Sequence, residues 1–271
     1  MVVAEQWGVV RALNQGRRLL GILSPYMMVR CYCVDGLLVD SGLAAFAGQT
    51  LEWARREGVR RAVLTHHHED HSGGVPRLQE GGLPVLASPA TGSKLSGGFA
   101  TYFYQRMVWG RATRAQVGML PSVIETDNHC FQVFAAPGHC DDQIVLYEPD
   151  QGWLFSGDAF IGQRIRYFRG DEDFQATVDS LQRLCQLDFD SLFCAHRPRL
   201  QGGREALRGK LNHLLELQGR VLELHARGLP LAQIARRLLG KEPLLLYLFS
   251  AGDLSKRNLV RSILFGPRPR K

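Results

Sequence analysis

The run His66-His67-His68-Glu69-Asp70-His71 constrains what this 271-residue chain can be more than any other feature. Four imidazoles and two carboxylates within six positions form a dense set of borderline and hard metal ligands. The run follows RRAVLT (60–65), which reads as a short buried strand, and leads into Ser72-Gly73-Gly74, where a helix opens at about residue 74 and continues to Glu80. In extended backbone, residues i and i+2 point the same way, so His66 and His68 can converge on one ion. As the chain turns into the helix, Asp70 and His71 can swing toward a second ion. By the same alternation His67 and Glu69 point elsewhere and take supporting or structural roles. The two glycines let the loop turn tightly.

Six residues cannot complete two coordination spheres, since each ion needs about four or five ligands including a water. The remaining ligands are expected at strand ends, where a sheet edge presents side chains to a shared cleft. Three candidates stand there: His139 after FQVFAAP, Asp158 after GWLFSG, and His196 after SLFCA. Cys140 neighbours His139 and is expected to point away from the site.

These residues resemble the metallo-β-lactamase superfamily, over roughly residues 8–200. Its H-x-H-x-D-H motif is complete as His66, His68, Asp70 and His71. Its later G-H turn, G-D motif and last histidine match His139, Gly157-Asp158 and His196. The resemblance implies an α/β fold, a four-layer αββα sandwich with the site at one edge. It implies two divalent metal ions: His66, His68 and His139 on the first, Asp70, His71 and His196 on the second, and Asp158 bridging. Zinc is the first expectation, with iron or manganese as alternatives because all three accept His/Asp sets. A bridging aspartate is similar to the glyoxalase II-type and ribonuclease-type branches, and lactamases proper usually lack it.

Two cations about 3.5–4 Å apart can share one water and lower its pKa toward neutrality, giving a bridging hydroxide as nucleophile. Asp70 is the candidate catalytic residue, orienting that nucleophile and handling its proton. No G-x-S-x-G elbow, P-loop or dinucleotide-binding glycine motif competes. The leading expectation is a metal-dependent hydrolase, a thioesterase acting on a small thioester or ester with an acidic moiety. The alternatives are a nuclease or phosphodiesterase, a lactonase, and a non-enzymatic metal-stabilised binding protein. An oxidative role on the same ligands also stays open.

Charge bears on the partner. The last 68 residues hold 14 of the 33 Lys+Arg but 5 of the 26 Asp+Glu, so this segment is net +9 while residues 1–203 are net −2. Composition also shifts at Gly202-Gly203 to Leu/Arg-rich helical text. A boundary is therefore expected there, separating a catalytic domain (1–203) from a basic helical, winged-helix-like region (204–271). That region could attract nucleic acid, a phosphate-bearing small molecule or an acidic surface; a solvated helix face is the favoured reading, because no RNA-binding signature is present and the basic residues are interspersed with Leu. Its end, GPRPRK, reads as a frayed tail. Arg164, Arg166 and Arg169 are a second candidate anion site. The aromatic stretch 98–118 is either core packing or a lid over the metals.

The rest is plainer. Strands are expected over 8–13, 26–34, 36–40, 84–88, 131–137, 143–149, 152–158 and 191–196, and helices over 44–58, 173–187, 203–227, 230–239 and 253–265. Sheets covered by helices follow. No run of about 18 apolar residues suggests a membrane span, and the N-terminus has no secretory pattern. The six cysteines lack C-x-x-C spacing, so reduced thiols and a cytoplasmic location are expected, with homo-oligomerisation left open.

Overall fold

In the central strands the side chains alternate between two faces, and both faces are buried. In a computed structural model, which describes residues 1–18, 24–25 and 27–268, the strands form two sheets. The first holds β1 (Val2–Trp7), β2 (Val10–Gln15), β3 (Val29–Val34), β4 (Leu37–Val39), β5 (Arg61–Val63), β6 (Val85–Ala87) and β7 (Gly118–Met119), in sequential order. Neighbours are antiparallel as far as β4 and parallel from β4 to β7. The second sheet contains β8 (Val123–Glu125), β9 (Cys130–Ala135), β10 (Ile144–Glu148), β11 (Trp153–Gly157) and β12 (Ser191–Cys194), ordered β12-β11-β10-β9-β8. Its pairs are antiparallel except β11 with β12.

The sheets meet through one set of alternating residues. Ala12, Tyr32, Val34 and Val63 of the first pack on Phe131, Ile144, Leu146, Phe155 and Phe193 of the second. Phe155 stacks on Phe193 at 4.7 Å between ring centroids. A side chain buried as Phe155 is contributes about 2–3 kcal/mol.

Helices cover the outward faces. α1 (Ala47–Arg56), α2 (Glu69–Ser72), α3 (Val75–Glu80), α4 (Pro89–Gly97) and α5 (Phe103–Val108) lie in the first half of the chain. Leu51 and Trp53 of α1, Leu78 of α3 and Leu95 of α4 close over Leu13, Cys31, Cys33 and Leu38. On the other side come α6 (Phe174–Leu184), α7 (Gly203–Ala226), α8 (Leu231–Leu239), α9 (Leu244–Phe249) and α10 (Lys256–Phe265). Val178, Leu207, Leu214, Ile234 and Leu259 from four of them share a cluster with Val145, Leu154 and Leu192 of the second sheet. The layers are thus αββα, the architecture that the family resemblance implies.

Some elements differ from expectation. β1 forms a hairpin with β2 across Gly8, which takes φ 60°. No β1 residue is buried, so this edge strand lacks the apolar alternation that reveals strands. The strand expected over 26–34 starts at Val29, and Tyr26 lies outside the described residues, as do the last three residues of the basic tail. The helix expected over 253–265 starts at Lys256, because the Ser255 hydroxyl accepts the Arg257 N–H as a cap. α9 occupies a stretch to which the sequence assigned no helix.

Candidate metal centre

Parallel pairing brings several strand ends to one edge. β4 runs into Asp40 and β5 toward Thr65-His66, while Asp158 follows the end of β11 and His196 lies two residues beyond β12. His139 arrives from the loop after β9, where Gly138 adopts φ 142° and packs so closely on Thr177 that a Cβ would meet its backbone at 2.6 Å. Only glycine fits there.

All seven expected ligands come together. Nδ1 of His68 lies 2.9 Å from Nε2 of His66 and 3.0 Å from Nε2 of His139. Oδ2 of Asp158 is 3.5 Å from Nε2 of His139 and 3.3 Å from Nε2 of His196, and its Oδ1 is 3.4 Å from Nε2 of His71. Oδ2 of Asp70 is 3.7 Å from Nε2 of His71 and 3.8 Å from Nε2 of His196. Two overlapping groups result, one of His66, His139 and Asp158 and one of Asp70, His71, Asp158 and His196. Ligand atoms about 2.0–2.2 Å from a tetrahedral ion stand roughly 3.3 Å apart, the spacing seen here.

Hydrogen bonding supports the fit. Nε2 of His71 and Oδ1 of Asp158 are buried without a hydrogen-bond partner. Orphaned buried polar atoms are rare and costly, and a cation between them would satisfy both. The far ring nitrogens, meanwhile, are held. His71 Nδ1 donates to Asp40 Oδ2 at 2.7 Å, and His196 Nδ1 donates to the Met28 carbonyl at 2.6 Å. His66 Nδ1 contacts the Thr65 hydroxyl at 3.0 Å, and Glu172 lies 3.7 Å from His139 Nδ1. Such partners choose the tautomer that presents a lone pair inward.

Electrostatics agree. Burial pushes the pKa of His66 and of His68 well below the ordinary imidazole value, keeping both neutral. For His71, burial is outweighed by Asp40, Asp70 and Asp158, which raise it well above that value; His196 rises through Asp158 and Asp70 despite the same burial. Asp158, though buried, is held well below the usual carboxylate range by His196 and His71.

His67 and Glu69 face away from the cluster. His67 Nδ1 pairs with Asp142 Oδ1 at 2.7 Å, and Asp142 also accepts from Thr91 and Lys94. Glu69 accepts from Gln105 Nε2 at 3.0 Å, and burial with the nearby Asp70 raises its pKa to about 7. Cys140 lies between the cluster and the pair behind it: its Sγ and a nitrogen of both His66 and His68 are all within 4.8 Å of one another, and so are its Sγ and ligand-type atoms of His67 and Asp142. Burial and Asp142 push that thiol's pKa well up, the state of a neutral S–H. Asp40, Thr65, Glu172 and Asp142 escaped the sequence reading; the one local signal was Asp40-Ser41-Gly42 at the end of a strand.

A cavity of about 340 Å³ opens on the cluster at His68, Asp70, His139, Asp158 and His196. The 98–118 segment walls it with Tyr104 and Trp109, the latter 5.9 Å from the His196 ring. Tyr104 donates to Asp253 at 2.7 Å, tying that wall to the C-terminal region. The arginine trio divides. All three line the cavity, but Arg164 and Arg166 are exposed there together with Arg197, whereas Arg169 is held beside Asp171 and Asp253.

Residues 27–196 match the family model described as "Metallo-beta-lactamase superfamily". The chain belongs to that superfamily. Among curated members it is 30% identical over 181 residues to the hydroxyacylglutathione hydrolase of Chromohalobacter salexigens, covering 63% of this chain and 60% of that protein. It is 32% identical over 174 residues to the hydroxyacylglutathione hydrolase of Ectopseudomonas mendocina, covering 62% and 59%. It therefore spans about three fifths of the length of these relatives. Solved superfamily structures share the fold. A metallo-beta-lactamase family protein from Thermus thermophilus superposes with TM-score 0.66 at 18% identity over 95% of this chain and 93% of that one. The FIM-1 metallo-beta-lactamase of Pseudomonas aeruginosa, in its mono-zinc form, gives TM-score 0.64 at 18% identity over 79% and 95%.

Proposed function

We propose that this superfamily member is a dinuclear metal-dependent hydrolase acting on a small thioester whose thiol carrier is acidic. The observation that carries the reading is the position of Asp158, whose carboxylate stands between His139 on one side and His71 and His196 on the other. His66, His68 and His139 would hold one ion and Asp70, His71 and His196 the other, with Asp158 shared. When bound, two divalent ions supply Lewis acidity that polarises the scissile carbonyl and acidifies water.

The chain's own residues do the rest. Asp70 orients the attacking water and accepts its proton, since its carboxylate opens on the cavity. Asp40 and the Met28 carbonyl keep His71 and His196 in the tautomers the site requires. Trp109 and Tyr104 cover the cavity and exclude bulk water, which strengthens every charge interaction within it. Arg164, Arg166 and Arg197 hold the anionic carrier. Zinc suits the His/Asp set, and iron or manganese would also be accepted. Similarity to hydroxyacylglutathione hydrolases supports the thioester chemistry.

A nuclease reading draws on the basic residues after 203, but among the described residues none of these lines the cavity. No described helix is long and apolar enough to cross a membrane, and the partner is a small molecule.

The test is a panel of glutathione and coenzyme A thioesters, lactones, phosphodiesters and β-lactams, run on metal-loaded protein beside His66→Ala. Thioester turnover lost in His66→Ala is expected. Turnover confined to phosphodiesters, falling steeply between about 50 and 200 mM salt, would transfer the site to nucleic acid.

A further inference from the structure

α9 is an anomaly of packing. Its sequence is Leu-Leu-Leu-Tyr-Leu-Phe, yet none of its residues is buried. Leu244 is 66% exposed, Leu245 85% and Leu248 64%. Tyr102 and Phe103, at the start of α5, are exposed as well. Large apolar side chains gathered on one surface mark a place where something apolar is bound.

This surface runs into the cavity over the metal centre. Leu246 and Phe249, three residues apart and so on one side of α9, line the cavity, with Leu254 just beyond the helix. The Phe249 ring lies 6.1 Å from Tyr104, and Tyr104 lies 6.0 Å from Tyr102. Tyr104, Trp109 and Ile165 continue the apolar lining as far as His68, His139 and Asp158. Arg164, Arg166, Arg169, Arg197 and Glu172 line the same cavity. The lining thus offers cationic groups for an acidic carrier and, beside them, an apolar track from the carboxylate-histidine cluster out to α9. A glutathione thioester with a small hydroxylated acyl group would leave that track empty.

We propose that α9 and the start of α5 form an acyl-binding entrance, so that the substrate is a thioester carrying an apolar acyl chain of several carbons. This rests on the thioester reading above and specifies its substrate class. The carbonyl lies at the cluster and the chain runs between Trp109 and Phe249 toward Leu245, one helical turn before Phe249. About 340 Å³ lies at the small end of ligand cavities, so a chain of medium length fills it and the remainder lies along exposed α9.

The experiment has two arms. In the first, binding of S-ethyl- and S-octyl-coenzyme A, thioethers that cannot be hydrolysed, is measured by calorimetry, with S-octylglutathione alongside. Each methylene that leaves water should tighten binding roughly fourfold, so S-octyl-coenzyme A should bind at least about tenfold tighter than the S-ethyl compound. In the second, kcat/KM is measured for acetyl-, butanoyl- and octanoyl-coenzyme A on metal-loaded protein. The octanoyl-to-acetyl ratio should be large in the native protein, lower in Leu245→Asp and near one in Phe249→Asp. Leu245 makes the informative variant if Phe249→Asp does not fold, because its side chain lies in solvent.

Equal binding of the two coenzyme A thioethers, or turnover indifferent to chain length, would overturn the acyl entrance and leave the thioester reading standing. Chain-length-dependent thioether binding without hydrolysis of any thioester would do the reverse, keeping the entrance and sinking the reaction. A concentration-dependent dimer in sedimentation that Leu245→Asp abolishes, with no chain-length effect, would give this face to a second copy of the chain and overturn the proposal.

Discussion

Asp40 touches neither substrate nor, in the proposed arrangement, either ion, yet Asp40→Asn should disable half the metal centre. Its Oδ1 accepts the Thr65 N–H at 2.7 Å, its Oδ2 accepts His71 Nδ1–H at 2.7 Å, and the Thr65 hydroxyl reaches both oxygens within 3.0 Å. An asparagine has one oxygen to offer. Because the Thr65 N–H can only donate, that oxygen must face it, and the amide NH2 then faces His71. His71 must accept there, which moves its proton to Nε2 and removes the lone pair that points at Asp70 and Asp158. The backbone will tolerate the change, since Asp40 sits at φ 65° and asparagine is at home in that region. Losing an orienting carboxylate of this kind costs about 10–100-fold in metal affinity, or roughly 1.4–2.7 kcal/mol. Chelator competition combined with elemental analysis should show one site weakened by that factor and the other near native strength. Native affinity at both sites in a correctly folded Asp40→Asn would refute the tautomer reasoning.

Three further outcomes follow from the same geometry. Asp158→Ala should lower both metal content and hydrolysis, measured by elemental analysis and thioester turnover; full metal content with an unchanged rate would remove the bridging role. In metal-free protein, the stability lost in His71→Asn should be greatest below about pH 6.5 and shrink as the pH rises. A histidine whose folded pKa is raised contributes fully below its unfolded value of 6.5 and loses that contribution as pH passes through the folded one; denaturant titrations at pH 6 and 9 check the sign. Gly138→Ala should cost roughly 1–3 kcal/mol by denaturant unfolding, as backbone strain is added to the clash with Thr177 and His139 is displaced.

What the sequence by itself determined is whatever local spacing can encode. The six-residue histidine run, ligand-type residues at the ends of apolar strands, and two-residue alternation are all short-range patterns, and they were enough to anticipate a sheet-and-helix sandwich and the seven side chains that gather at its edge. What only the tertiary structure decided lies between residues far apart in the chain. Asp40 meets His71 across 31 positions, and the Met28 carbonyl meets His196 across 168. A backbone carbonyl leaves no mark in sequence, and a carboxylate's partner depends on which strands pair in parallel. α9 escaped notice for a related reason: an apolar run of six residues has no polar face to reveal its period, and only packing, or its absence, shows which side the helix presents to solvent.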